Sequence, residues 1–229
     1  MIGILMKRPG ISSGIRWCEV SGMQEKLKPI FSYNADISKN AYLNWRIAGH
    51  NIAGNLTILA ESFENAAKEL MQSVLRDNRL KQADSLIFPI MYSVDQSIEL
   101  YKKAIIYNIE CLTTGQSNNY TTHDIQSLFN TMISQIKKKE IKTKGLQAHV
   151  SVLQEYIDEL YSYIKSGDGK AQLDFARYPF DTDRNPHFYV CAHENVVIDI
   201  ENLLDRYSKI MDCLYGLYCM YDAELEALN

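Results

Sequence analysis

Two stretches of the sequence hold the side chains best suited to acid–base or phosphate chemistry. Glu99, Lys102 and Lys103 lie within five residues of one another, and His123 follows them after a polar segment. An imidazole transfers protons near neutral pH, whereas amines and guanidinium groups bind phosphate. The second stretch, residues 175–193, combines Arg, Asp, His and Tyr side chains. We therefore expect an anion-binding or acid–base site at these residues.

We expect the two stretches to meet in a polar pocket. Arg177 is the cationic partner that a buried Glu99 needs, and His123 is expected beside them. The predicted ligand-binding residues are Glu99, Lys102, Lys103, His123, Arg177, Tyr178 and Asp181, and the expected ligand is a phosphate- or nucleotide-like molecule. The candidate catalytic residues are His123, Arg177 and His187. Two alternatives stay open: a buried ion pair that only fixes the loop, and a solvated helix face.

The second stretch is also a candidate for metal binding because it holds two aspartates and two histidines. These are Asp181, Asp183, His187 and His193. Their spacing matches no zinc site, so we predict neither a metal nor a cofactor.

Two helices joined by a polar loop must position these groups. Apolar residues recur at steps of three and four over residues 87–109, which predicts the first helix. A loop rich in Thr, Ser, Asn and Gly follows. Thr121 and Asp124 have the spacing of a capping box, which predicts that the second helix begins near Thr122. His123 then lies in the first turn, where a structural role is the alternative to a site.

The remaining chain predicts an all-α fold. Helical periodicity also covers residues 41–76, 146–164 and 195–223, and in the first of these it places large apolar residues such as Ile52 and Leu59 on the buried face. Gly49 and Gly54, inside the first of these helices, predict the close approach of another helix. The expected architecture is an all-α bundle of about five long helices.

The chain organisation that we expect is one helical domain with an extension. One ordered irregular loop, at about residues 166–193, interrupts the predicted bundle. The helical domain covers residues 41–229, and residues 1–40 are predicted to be an extension that packs on it.

Composition limits the function classes. The formal net charge of −4 gives the whole molecule no attraction for nucleic acid. Any such binding therefore needs a local patch, for which Lys137, Lys138, Lys139, Lys142 and Lys144 are candidates. No apolar run reaches the length of about 18 residues that a membrane span needs. The five cysteines include no CxxC pair, which favours reduced thiols and a cytoplasmic protein.

Three short motifs carry a resemblance to a known family. The run IELYKKA at residues 98–104 is followed by HDI at residues 123–125 and RYP at residues 177–179. This pattern resembles the HEPN superfamily over roughly residues 84–225. The resemblance implies an all-α core and a bacterial protein of a phage-defence or toxin–antitoxin system. Many such proteins cleave RNA.

The motif of the HEPN ribonucleases is missing from the sequence. Those members carry an Arg followed about four to six residues later by His, near the start of a late helix. Arg46 and His50 lie on an early helix, and Arg184 and His187 lie in a loop with shorter spacing. We therefore predict a non-catalytic helical module that binds nucleic acid, a nucleotide or a protein. The alternative is a metal-independent HEPN endoribonuclease with a non-standard Arg/His site.

The C-terminal helix predicts a homodimer. Its apolar and aromatic residues lie on more than one face, and they include Tyr215, Leu217, Tyr218, Met220 and Tyr221. Such a helix is either central in its bundle or shared with a partner. HEPN proteins commonly pair, so we expect a homodimer, with a protein encoded nearby as a further candidate partner and with no membrane.

Overall fold

The structure of the protein is a computed structural model that describes residues 28–118, 120–140, 144–164 and 173–228. These residues form six α-helices and two 3-10 helices, and no β-strand occurs among them. The α-helices are α1 (Ile52–Arg76), α2 (Ala83–Thr114), α3 (Ile125–Lys139), α4 (Leu146–His149), α5 (Ser151–Ile164) and α6 (Ile200–Glu226), and the 3-10 helices are Ile37–Lys39 and Leu173–Ala176. Five α-helices are long, which confirms the predicted all-α bundle.

Helix α2 lies at the centre of the bundle. Its buried residues surround the helix, and Ile90, Ile98 and Ile105 are fully buried. It packs against α1, α3, α6 and the 3-10 helix Leu173–Ala176. Because a helix that is apolar on all sides must be enclosed, α2 determines where the other helices pack.

Helix α1 begins at Ile52, later than the periodicity predicted. Asn51 caps it, because its side chain accepts a hydrogen bond of 2.7 Å from the Gly54 N–H. The Asn55 side chain binds both backbone groups of Ala48 at 2.9 and 2.7 Å. These bonds hold the preceding chain against the first turn in a non-helical conformation.

The buried face of α1 also differs from the prediction. It consists largely of small residues, which are Ala53, Thr57, Ala60 and Ala67, followed by Met71 and Val74. Ile52 and Leu59, which the pattern placed in the core, are 52% and 46% exposed. Alanines allow α1 to approach α2 closely, and a pattern of large apolar residues does not detect them.

The two glycines near the start of α1 do not mark a contact between helices. A Cβ atom on Gly54 would lie 2.6 Å from Nδ2 of the capping Asn51, so this glycine makes room for the cap. A Cβ atom on Gly49 would meet no heavy atom within 4 Å. The predicted close approach of a second helix at these positions was therefore wrong.

Helix α3 begins at Ile125, with Asp124 as its N-cap. The Asp124 side chain accepts hydrogen bonds from the backbone N–H groups of Gln126 and Ser127 at 2.9 and 3.0 Å. The predicted capping box assigned Asp124 to the first turn. His123 accordingly precedes the helix instead of lying inside it.

The C-terminal half of the bundle follows the prediction with shifted bounds. The predicted helix at residues 146–164 is divided at Val150 into α4 and α5, and α6 begins at Ile200, after its cap Asp199. The predicted loop at residues 166–193 is described from residue 173. Its first residues lie outside the described part of the chain.

Aromatic contacts fix the described part of this loop on the bundle. Phe175 is buried and packs on Phe188, with the ring centroids 5.6 Å apart. Phe188 also contacts Tyr163 of α5, and Tyr189 contacts Phe88 of α2. The loop is therefore ordered by packing against two helices.

The chain divides into two compact units, residues 1–42 and 43–229. In the first, the 3-10 helix Ile37–Lys39 is capped by Asp36, whose side chain accepts from the Ser38 N–H at 3.1 Å. Residues 1–27 lie outside the described part. The packing of residues 1–40 on the helical domain stays a prediction.

Candidate functional site

The first candidate site is a carboxylate–imidazole pair between α2 and α3. The Glu99 carboxylate is only 4% exposed, and it accepts a hydrogen bond of 2.8 Å from Lys103 Nζ, one helical turn later. The same carboxylate lies 3.0 and 3.2 Å from Nδ1 of His123. Because a carboxylate only accepts hydrogen bonds, Nδ1 carries the proton. The His123 side chain is 77% exposed, so Nε2 faces solvent.

Lys102 is fully buried, which the sequence did not predict. Its Nζ donates a hydrogen bond to the backbone carbonyl of Ile125, the first residue of α3. Burial lowers the pKa of Lys102 to about 7, although the carboxylates of Asp95, Glu99 and Asp124 act in the opposite direction. This amine joins two helices and does not reach the surface, where a ligand would bind.

Asp95 lies on the same side of α2 as Glu99 and Lys102, the charged residues for which a solvated helix face was one of the alternatives. Its carboxyl group is buried, and burial raises its pKa to about 7. The Tyr156 hydroxyl of α5 donates a hydrogen bond of 2.9 Å to Oδ1. Because α3 and α5 cover these polar side chains, they are part of the core, and the alternative of a solvated helix face was wrong.

The second candidate site is the exposed loop around Arg177. The guanidinium carbon of Arg177 lies 5.8 Å from the ring centroid of Tyr92 and 5.6 Å from that of Tyr178. No carboxylate of the described residues forms an ion pair with it. Tyr178 is 56% exposed and Phe180 is 48% exposed. The site therefore offers a cation and aromatic faces to solvent.

The predicted ion pair between Glu99 and Arg177 is not formed. The ion-pair partners of Glu99 within the described ranges are Lys103 and His123, and Arg177 stacks on Tyr92 instead. Tyr92 precedes Glu99 by two helical turns, about 10 Å along the axis of α2. Glu99 and Arg177, which were predicted to share one pocket, therefore belong to two separate sites that contact α2 at different positions along its axis.

Two further predicted residues serve the loop itself. The Asp181 carboxylate accepts hydrogen bonds from the backbone N–H groups of Asp183 and Asn185, at 2.9 and 2.7 Å. His187 is fully buried, with Nε2 3.5 Å from Asp174 Oδ1 and its ring stacked on Tyr189. Both positions stabilise the loop, and His187 does not reach solvent.

The basic run that begins in the last turn of α3 is only partly available for a ligand. Lys139 forms ion pairs with Glu224 and Glu140 and lies over the ring of Tyr221. Lys137 and Lys138 are exposed. Lys142, which the prediction included, lies outside the described residues.

An apolar groove between α5, α6 and the loop has a volume of about 280 Å³. Its walls include Tyr163, Phe188, Val197 and Leu203, with Arg206 at the rim. None of the predicted site residues lines this groove. The sequence analysis missed it because its walls come from three separate parts of the chain.

Comparison of the chain with protein-family models, curated proteins and solved structures gives no match. Within the described residues, no group of three or more His, Cys, Asp or Glu side chains is arranged to hold a metal ion. No helix of the described part is both long and apolar enough to cross a membrane.

Proposed function

We propose that this chain is a HEPN-like helical module that binds nucleic acid or a nucleotide without cleaving it. We place it in the bacterial cytoplasm, in a phage-defence or toxin–antitoxin system. The observation that carries the proposal is the exposed Arg177, which stacks on two tyrosine rings and has no carboxylate partner among the described residues. The IELYKKA, HDI and RYP motifs supply the resemblance to the family.

The charges of α2 support binding over catalysis. The Lys102 amine donates its hydrogen bond to the Ile125 carbonyl, and the Glu99 carboxylate pairs with Lys103 and His123. Side chains with internal partners are not available to reacting atoms. Arginines that lack such partners are available to phosphate groups, which they bind through two parallel hydrogen bonds.

The test uses the purified full-length chain with a mixed pool of RNA. RNA integrity is measured on denaturing gels with EDTA present, and binding is measured by fluorescence anisotropy with labelled RNA from the same pool. We expect intact RNA and saturable binding. Arg177→Ala should weaken binding about 5-fold or more.

The matched control is Arg46→Ala. Arg46 is also an exposed arginine, but it forms an ion pair with Glu61. The substitution changes the net charge by the same amount, so binding should stay within about twofold of wild type. Absence of RNA binding, or equal losses in both variants, contradicts the proposal.

A second candidate function is metal-independent RNA cleavage. The observation that favours it is the buried Glu99 carboxylate, which fixes the proton of the exposed His123 on Nδ1 and leaves Nε2 free to accept one. This is the arrangement of a general base. Cleavage in EDTA that His123→Gln abolishes would establish this function and overturn the non-catalytic proposal. Because His123 is 77% exposed, the variant should fold as wild type does.

A further inference from the structure

The loop that carries Arg177 ends in a tight turn with a fixed backbone. Phe180 and Pro186 form an antiparallel bridge, and the Asp181 N–H donates to the Asn185 carbonyl at 2.9 Å. The Asp181 side chain bonds to the backbone N–H groups of Asp183 and Asn185 from inside the turn. These bonds hold the turn in one conformation.

Arg184 has the one left-handed backbone conformation of this turn. Its φ angle is 65°, a region in which glycine and asparagine are favoured and an arginine is strained. Its side chain is exposed, and among the described residues it forms no ion pair. The folding of the turn therefore does not require an arginine, and strain of this kind points to a role outside the fold.

Aromatic rings contact Arg177, and exposed aromatic rings lie in the same loop as Arg184. Tyr178 and Phe180 are about half exposed, and the ring of Tyr92 supports Arg177 from α2. We define the loop platform as Arg177, Tyr178, Phe180 and Arg184. It combines flat apolar faces with cations that have no carboxylate partner in the described parts of the chain.

We propose that the loop platform binds single-stranded nucleic acid, with bases stacked on Tyr178 and Phe180 and backbone phosphates contacted by Arg177 and Arg184. This inference rests on the proposed function and deepens it by naming the substrate class. Exposed rings stack on unpaired bases, which a duplex keeps inside its own stack. An acidic peptide would use the cations but not the rings.

The charge distribution predicts that stacking contributes more than electrostatics. Only two arginines belong to the platform, and the formal net charge of the chain is −4. Two phosphate contacts on a single strand predict a slope of about −1.4 in a plot of log K against log salt concentration. Binding should therefore persist at salt concentrations that release a typical basic protein.

The experiment measures fluorescence anisotropy with a labelled RNA 12-mer, the same sequence as DNA, and the corresponding duplex. We expect both single strands to bind more tightly than the duplex. Tyr178→Leu keeps an apolar side chain but removes the stacking surface, and it should weaken single-strand binding about 5- to 150-fold. Comparison of the affinities for the RNA and DNA strands shows whether the 2′-hydroxyl contributes to binding.

Arg184→Gly separates function from folding. Glycine relieves the left-handed strain, so the Tm of the variant should equal or exceed that of wild type. Binding should nevertheless weaken, and the salt slope should fall in magnitude by about 0.7. Arg46→Ala, with the same change of charge, should leave the slope unchanged.

The outcomes distinguish this inference from the function on which it rests. Binding that Tyr178→Leu and Arg184→Gly leave intact, or a duplex that binds as tightly as the single strands, overturns the loop platform and retains a nucleic-acid-binding module. No binding by wild type to any strand overturns both. Loss of binding in both variants, with the Tm retained, supports both.

Discussion

Buried ionisable residues on α2 are the feature at the residue scale that most needs explanation. Asp95 and Lys102 are both buried, although an isolated charge in a protein core is costly. Burial raises the pKa of Asp95 to about 7 from an ordinary value of 3.8, and it lowers the pKa of Lys102 to about 7 from 10.5. Tyr156 and the Ile125 carbonyl supply hydrogen bonds that offset part of this cost.

The shift of the Asp95 pKa predicts a pH-dependent stability. Between pH 3.8 and about 7 the folded state retains a proton that the unfolded state releases, so the free energy of unfolding should fall as pH rises. Asp95→Asn keeps the acceptor for Tyr156 and removes the ionisation. Relative to wild type, the variant should gain on the order of 3 kcal/mol between pH 4 and pH 7.5.

Urea unfolding across this pH range measures the effect. Asp158→Asn is the control, because Asp158 lies on the exposed face of α5. The contribution of Lys102 has the opposite sign and acts above neutral pH, since its folded-state pKa is lowered: stability should rise from about pH 7 towards 10.5. Parallel curves for wild type and Asp95→Asn would contradict the buried carboxylate.

At the scale of elements, helix caps fix where the polar loops enter the bundle. Asp124 at the start of α3 accepts from two backbone N–H groups and from the Tyr161 hydroxyl of α5. Among the residues that the structure describes, Asp199 at the start of α6 accepts only from the Asn202 N–H, at 3.1 Å. The first cap therefore joins two helices, whereas the second serves only its own.

Replacing the two caps should have unequal effects. Asp124→Ala removes three hydrogen bonds and should lower the free energy of unfolding by about 2 kcal/mol or more. Asp199→Ala should cost about 1 kcal/mol, the usual value for one N-cap. Chemical denaturation of both variants measures the difference, and equal losses would contradict the link between α3 and α5.

At the scale of the whole molecule, α6 packs one side into the core and exposes large apolar side chains on the other. Leu214, Leu217 and Tyr221 are buried in the bundle. Tyr215 and Met220 remain 50% and 44% exposed. A helix that packs inside its bundle and still offers large apolar side chains is suited to a two-fold contact between identical chains.

We predict a homodimer that uses this exposed side of α6. Light scattering should give a mass near twice the 26.3 kDa of one chain. Tyr215→Glu should return the mass to that of one chain, because a charge in an apolar interface is unfavourable. Val197→Glu, an apolar position that is 81% exposed outside α6, should leave the dimer intact. A wild-type monomer at working concentration would contradict the prediction.

The helices and their order could be predicted from the sequence because helix formation depends on local patterns. Steps of three and four placed α2, α5 and α6, and the spacing of a capping box placed the start of α3. The central position of α2 came only from the structure. The bounds shifted where a capping side chain, such as Asn51 or Asp199, decided the first turn. Small buried residues such as Ala60 and Ala67 also remained undetected, because the pattern gives most weight to large side chains.

Only the tertiary structure decided the roles of the charged residues. Glu99 and Lys102 have the spacing of a solvated pair, but α3 covers them and converts them into internal contacts. Arg177 received aromatic neighbours instead of the expected carboxylate. Burial and partnership depend on which distant segment packs over a residue, and the local sequence holds no record of that packing.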